Sequence, residues 1–306
     1  MINFYKNRKW FYAISLCLMA IGIVALFING VTLDIQFSGG TKIAYSYDGD
    51  VTVSDVESLA SKSLNTTCSA QIQTAVDSES NNRNTVIINV GGKSGVTPDQ
   101  LEALTTSMLE KYPDNKIELY ETQSVEPYIG HRFFRNGIMA MVIAAILIVG
   151  YVTVRFKIIS GLSAAVTALI ALFHDLLLVF FTFVVFNIPI NDGFVAVVLT
   201  ILGYSVNDTI VIYDKIRSNK KLHGNKMSTE EIANTSINQC MKRTINTSLM
   251  AGCAIALVFI FSLISGLTSV ANFALPLMVG IASGCYSSMT LPGTLWVTWQ
   301  NRKKKA

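Results

Sequence analysis

Charge is scarce in this chain of 306 residues. Charged residues make up 14% of the sequence and hydrophobic residues 51%, whereas soluble domains carry roughly 25% charged residues. The mean hydropathy is +0.45. So little charge argues against a soluble cytosolic enzyme, and we expect a membrane protein.

The residues that usually build metal and redox sites are also few. Three histidines, His131, His174 and His223, lie far apart, and the five cysteines show no C-x-x-C spacing. P-loop, nucleophile-elbow and H-E-x-x-H motifs are absent as well. We therefore expect no metal, no cofactor and no enzymatic activity. The net charge of +4 is too small to predict a nucleic-acid partner.

Long apolar runs are abundant instead. A membrane helix needs roughly 20 mostly apolar residues, and six stretches satisfy this: about 10–29, 137–155, 159–186, 193–213, 244–264 and 271–298. The first run follows three basic residues but is too long for a signal peptide, so we interpret it as an uncleaved anchor.

The positions of Lys and Arg predict how these spans are oriented. Alternate connections are rich in basic residues: Arg155, Lys157, Lys215, Arg217, Lys220, Lys221, Lys226, Lys242 and Arg302 to Lys305. The connections around 187–192 and 265–270 contain none. Because positive residues are retained on the cytoplasmic side, both termini are expected inside and the segment 30–136 outside.

The segment 30–136 has the pattern of a small α+β domain. Strands are predicted at 41–49, 69–76, 85–90 and 116–125, with helices opening at Ser54 and Thr97. Each helix start has the spacing of a capping box, completed by Glu57 and Gln100. The order β-α-β-β-α-β predicts a ferredoxin-like sandwich. The chain thus divides into 1–29, an outside domain at 30–136, spans two to six at 137–299 and a basic tail at 300–306.

Asp208 is the strongest functional candidate inside the predicted spans. A charged side chain near mid-bilayer costs about 2.5 to 3.5 kcal/mol on insertion scales, so such residues tend to be functional. Tyr204 and Ser205 precede Asp208 by one helical turn and share its face. The alternative is that Asp208 only forms a hydrogen bond to a neighbouring helix.

Arg243 is the predicted partner of Asp208. With Asn246, Thr247 and Met250 it follows the spacing i, i+3, i+4 and i+7, which places all four on one stripe entering the fifth span. An arginine near Asp208 would favour the ionised carboxylate, so movement between the two would make a proton switch. The alternative for Arg243 is an anchor at the cytoplasmic end of the span.

Other polar and small residues admit simpler interpretations. Asp175, beside His174 in the third span, fits a structural hydrogen bond and a proton path equally well. Asp214 is more typical of an interfacial charge cluster. Gly280, Gly284 and Ser288 recur every four residues, which predicts close helix packing and no chemistry.

Five strings distributed along the chain carry a family resemblance: LDIQFSGGTKI, VEPYIGHRFFRNG, ALFHDLLLV, LTILGYSVNDTIVIYDKIRSN and SINQCMKRTINTSL. Together they resemble the SecF family, the smaller membrane subunit of the bacterial SecDF export factor in the RND superfamily. The resemblance covers essentially the whole chain. It implies an RND-type half with six transmembrane helices in the bacterial cell (inner) membrane, pairing with SecD into a twelve-span heterodimer.

The resemblance also implies further partners and site residues. It implies association with the SecYEG translocon and use of the proton motive force to move a translocating preprotein outward. By position, the family's intramembrane aspartate falls on Asp208 and its essential arginine on Arg243. The candidate supporting residues are Asp175, His174, Asn207, Tyr204 and Asn246.

Two other functions remain open from the residues. One is an RND-type exporter of small apolar molecules that acts as a homodimer of these half-units. The other is a purely structural scaffold of the export channel.

Overall fold

The computed structural model describes residues 2–66, 68–74, 84–91, 95–223, 226–265 and 267–303. Six candidate spans in these residues are long and apolar enough to cross a membrane, which confirms the prediction of a helical membrane protein. They are α1 (Arg8–Asn29), α5 (Pro127–Arg155), α6 (Gly161–Val185), α7 (Asp192–His223), α8 (Thr229–Ile264), and α9 (Thr268–Thr290) with α10 (Pro292–Lys303).

Several of these helices are longer than their apolar cores. Helix α5 begins at Pro127, ten residues before the predicted span, and α8 begins at Thr229, where Ser228 and Glu231 form a capping box. Hydropathy locates only the apolar part of a helix, whereas backbone hydrogen bonds continue through polar residues. The last span is interrupted at Leu291 because Pro292 has no N–H to donate.

Helix α6 lies at the centre of the bundle, packed against α1, α5, α7, α9 and α10. Small residues such as Ala164, Ala168 and Ala171 are fully buried along it. The outer helices α1 and α8 instead leave large apolar side chains exposed, among them Phe27 and Ile264. This inverted distribution suits surfaces that face lipid or another membrane protein.

A four-stranded antiparallel sheet with two helices lies between α1 and α5. Its strands are β1 (Gly40–Tyr47), β2 (Cys68–Thr74), β3 (Asn84–Val90) and β4 (Glu118–Val125), in the spatial order β2-β3-β1-β4. The helices α3 (Val53–Leu64) and α4 (Pro98–Lys111) cover one face. Ile43, Tyr45, Ile88, Leu104 and Met108 form the centre of this core. The predicted strand residues 75 and 76 lie outside the described residues.

Of the two predicted capping boxes, one is confirmed and one is wrong. Thr97 and Gln100 form the reciprocal bonds expected at the start of α4. Helix α3 begins at Val53, one residue earlier than predicted, and has no side-chain cap. The carboxylate of Glu57 instead accepts a hydrogen bond from the Ala70 N–H at 2.9 Å. The carboxylate of Glu57 is thus bonded to the N–H of a residue in β2 and not to the start of its own helix.

The segment after α1 fastens the sheet to the helix bundle. Leu33 forms a parallel bridge with Ile190 in the α6–α7 connection, supported by backbone bonds of 3.0 and 2.9 Å. The short helix α2 (Ile35–Ser38) follows, and its Phe37 ring packs edge-on against Phe134 of α5 at 5.5 Å. The sheet is thereby held over the ends of α6, α7 and α9.

Candidate functional site

Asp208 is buried in the bundle without a hydrogen-bond partner for one of its oxygens. Its exposed fraction is 5%, and Oδ2 contacts no donor among the described residues. Burying a carboxylate oxygen without a donor is costly, so the local structure gains if the group finds a donor or takes up a proton. This distinguishes Asp208 from a carboxylate that only crosslinks helices.

Arg243 lies near Asp208 but is not bonded to it. Its charge acts on Asp208 through space, yet no ion pair within 4.0 Å joins them in the described part of the chain. The side chains of Arg243, Asn246 and Thr247 are exposed on α8, and Asn207 is exposed on α7. The polar residues of α8 therefore do form one stripe, as predicted, but most of their side chains are not covered by other helices of this chain.

Tyr204 connects the two helices that carry the candidate relay. Its hydroxyl donates to Ser248 Oγ of α8 at 3.1 Å. Ser248 is buried and was not among the predicted site residues. A serine one turn beyond the start of the fifth span carries no sequence signal of its own, because serine is common in packed membrane helices.

Asp175 is the best-bonded carboxylate in the bundle. It is completely buried and accepts hydrogen bonds from the hydroxyls of three serines: Ser205 at 2.6 Å, Ser283 at 2.5 Å and Ser287 at 2.7 Å. His174 Nδ1 lies 3.1 Å from its Oδ1. The three hydroxyls donate from two other helices, whereas the role of His174 Nδ1 depends on the tautomer of its ring. Asp175 thus joins α6, α7 and α9.

The two serines of α9 were missed, although their spacing offered a signal. Ser283 and Ser287 are four residues apart and so lie on one helix face. They reach Asp175 because α9 packs closely at the neighbouring glycines. A Cβ on Gly280 would lie 2.6 Å from Ile201, and one on Gly284 would lie 3.2 Å from Ser205. Close packing at these glycines is confirmed.

His174 and Asp214 complete the set of titratable candidates. His174 is 6% exposed, and its Nε2 has no hydrogen-bond partner among the residues that the structure describes. Asp214 forms ion pairs with Arg155 at 3.1 Å and Arg217 at 2.7 Å, so it does belong to a charge cluster, while the interfacial position of that cluster stays a prediction. No cluster of three potential metal ligands occurs in the described ranges.

Comparison with protein families adds a match over most of the chain. Residues 105–302 match the family model described as protein export membrane protein SecD/SecF, C-terminal. The protein translocase subunit SecF of Petrotoga mobilis is 31% identical over 99% of this chain and 98% of its own length. The protein translocase subunit SecDF of Bacillus subtilis is 30% identical over 99% of this chain, which spans 39% of that longer protein.

Two solved structures share the fold. The crystal structure of SecDF from Thermus thermophilus aligns with 98% of this chain at a TM-score of 0.81 and 28% identity. A crystal structure of SecDF in a super-membrane-facing form aligns with 99% of it at a TM-score of 0.68 and the same identity. This chain spans 39% of each of those polypeptides.

Proposed function

The chain belongs to the SecD/SecF family of protein export membrane proteins, and we propose that it is a SecF-type subunit that works with a SecD-type partner. A SecDF polypeptide is more than twice as long as the segment that this chain matches. The remainder would be supplied by the partner, giving twelve spans. Exposed polar residues at the start of the fifth predicted span support this, since Arg243 and Asn246 are costly next to lipid.

In the proposed orientation both termini are cytoplasmic and residues 30–136 form an outside domain of ferredoxin-like type. The uneven distribution of Lys and Arg supports the orientation. The strand order β2-β3-β1-β4 with α3 and α4 on one face supports the fold type. The proposed organisation of the chain is therefore 1–29, 30–136, 137–299 and 300–306.

The proposed proton relay is Asp208 with Arg243. The ionised Asp208 is held by the nearby positive charge of Arg243 and lacks a hydrogen bond at Oδ2. Protonation removes the negative charge, so the attraction between α7 and α8 is lost and the helices shift. Tyr204 and its bond to Ser248 would transmit the shift between these helices.

The work of the cycle would come from the proton motive force. One charge crossing 100 mV releases about 2.3 kcal/mol, which is enough to bias a domain movement but not to drive a large one per proton. The domain at 30–136 would move while holding a preprotein that emerges from a SecYEG channel. This would promote export after the ATP-driven step.

The single observation that carries this proposal is the buried, unsatisfied Oδ2 of Asp208 in a long membrane helix. The test measures preprotein translocation into inverted vesicles that contain the chain and its partner, with and without an imposed proton gradient. Asp208→Asn should remove only the gradient-dependent part. Asp214→Asn is the matched control, since it makes the same change on the same helix at a half-exposed ion pair.

Two results would contradict the proposal. Full gradient-dependent translocation by Asp208→Asn would exclude this carboxylate from the relay. Translocation that does not respond to the native chain at all would favour export of small molecules.

A further inference from the structure

A polar cavity of about 260 Å³ lies between the sheet and the helix bundle. Its upper wall is the face of the sheet opposite α3 and α4. Its lower wall is the α6–α7 connection and the start of α9. In the proposed orientation this cavity lies on the outer side of the membrane, where an exported chain emerges.

Amide side chains dominate the polar lining of this cavity. There are six of them, from the linker, the sheet and the bundle: Gln36, Gln71, Asn89, Gln123, Asn191 and Asn272. Within the described part of the chain, the Gln36 side chain alone is engaged, accepting from the Asp192 N–H at 3.4 Å. The other five form no side-chain hydrogen bond with any described residue. Asn89 Oδ1 is buried without a partner.

The strand register explains why these groups point the same way. Lys42 of β1 is paired with Asn89 of β3 on one side and with Gln123 of β4 on the other. Directly paired residues lie on the same face of a sheet, so the three form a row. Their neighbours Ile43 and Ile88 point into the core beneath α3 and α4.

We propose that this cavity binds the main-chain amides of an extended polypeptide segment in transit, an inference that rests on the proposed function. A carboxamide carries both a donor and an acceptor, as a peptide group does. It therefore satisfies backbone N–H and C=O groups regardless of the sequence that passes. Phe183, Ile188 and Phe273 add apolar surface to the lining, where side chains of a passing segment can rest.

Charged side chains are a minority in the lining of this cavity. They are Lys42, Asp34 and Asp192. Both carboxylates are already used locally, since Asp34 accepts from the Gln36 N–H and Asp192 from the Gly193 N–H, each at 3.0 Å. The lining thus carries a formal charge of −1 but six carboxamides, so recognition rests mainly on hydrogen bonds to the amides and not on charge.

The experiment places a photo-crosslinking amino acid at Gln123 or Asn272 in the full complex. The probe is a preprotein arrested in the channel by a folded C-terminal domain. Glu102, exposed on α4 on the opposite side of the sheet, is the control position. We expect crosslinks to the arrested chain from positions 123 and 272 and none from 102. Passenger segments rich in Gly and Ser should crosslink as well as segments rich in Val and Thr.

A second measurement removes the amides themselves. Gln71→Leu combined with Asn272→Leu removes two hydrogen-bonding groups, and each lost hydrogen bond should lower the crosslinking yield from position 123 about fivefold. Glu102→Leu should leave the yield unchanged.

The outcomes separate this inference from the proposed function. If export is stimulated by a proton gradient but positions 123 and 272 give no crosslinks, the inference is wrong and the proposed function stands. Equal crosslinking from 102, or a strong preference for one passenger sequence, also overturns it. If the native chain does not stimulate export, the proposed function fails and the inference fails with it.

Discussion

Ser205 of α7 donates a hydrogen bond of 2.6 Å to Asp175 of α6, and Ser205 precedes Asp208 on α7 by one helical turn. The two buried aspartates are therefore neighbours in the bundle with opposite surroundings. Asp175 has four hydrogen-bond contacts, whereas Asp208 has an oxygen with none. A saturated carboxylate fixes the helices around it, and an unsatisfied one can change partners. This contrast favours Asp175 as an anchor between helices, and it is the reason that the proposed relay is centred on Asp208.

Replacing Asp175 by Asn should destabilise the bundle. The amide nitrogen would meet serine hydroxyls that now donate, and hydrogen bonds to a charged group contribute about 1.5 to 3 kcal/mol each. We expect a loss of about 3 kcal/mol, measured as a lower midpoint of thermal unfolding in detergent. Asp214→Asn, which breaks exposed ion pairs only, should shift the midpoint little. If Asp175→Asn left the midpoint of thermal unfolding unchanged but removed gradient-dependent translocation, Asp175 would belong to the relay instead.

Asp208 and Arg243 should behave as one unit in a double-mutant cycle. Asp208→Asn and Arg243→Gln should each abolish gradient-dependent translocation, and the double variant should be no worse than either, since each change removes the same interaction. Lys242→Gln, which removes the neighbouring charge, is the matched control. Additive partial losses from the two single changes would show that they act independently.

Substitution by alanine should have opposite effects on stability at two glycines in helix interiors. A Cβ at Gly280 would lie 2.6 Å from Ile201 and 2.9 Å from Val179, whereas one at Gly252 would meet nothing within 4 Å. Overpacking should make Gly280→Ala destabilising by about 1–3 kcal/mol. Gly252→Ala should be neutral or stabilising by up to about 1 kcal/mol, from helix propensity alone. Thermal unfolding of both variants decides this, and equal shifts would refute the close packing of α9.

Cys68 should react slowly with a water-soluble maleimide at neutral pH. It is 8% exposed, and burial raises the pKa of its thiol. The thiol therefore stays protonated to a higher pH, and only the thiolate reacts. The rate should rise steadily as the pH increases above neutrality. A cysteine introduced by Ser58→Cys, on the exposed side of α3, should react much faster. Mass spectrometry of the labelled peptides measures both rates, and rapid labelling of Cys68 would contradict its burial.

The sequence by itself determined the elements of this protein. Long apolar runs predict six spans because a helix of that length satisfies its own backbone groups across a bilayer. The second capping box and the order of strands and helices were also readable, since turn residues and alternating patterns act over a few neighbours. Asp208 stood out because a carboxylate inside an apolar run is costly wherever the helix packs.

Only the tertiary structure decided which polar groups meet. The serine partners of Asp175 come from two other helices, 30 to 112 residues away in the chain, and the close approach at Gly280 and Gly284 brings Ser283 and Ser287 within reach of it. The predicted cap at Glu57 failed because a strand N–H offered a better partner. Local sequence patterns carry no information on such long-range competition. A hydrogen bond forms only between groups that the packed chain brings to within about 3 Å of each other.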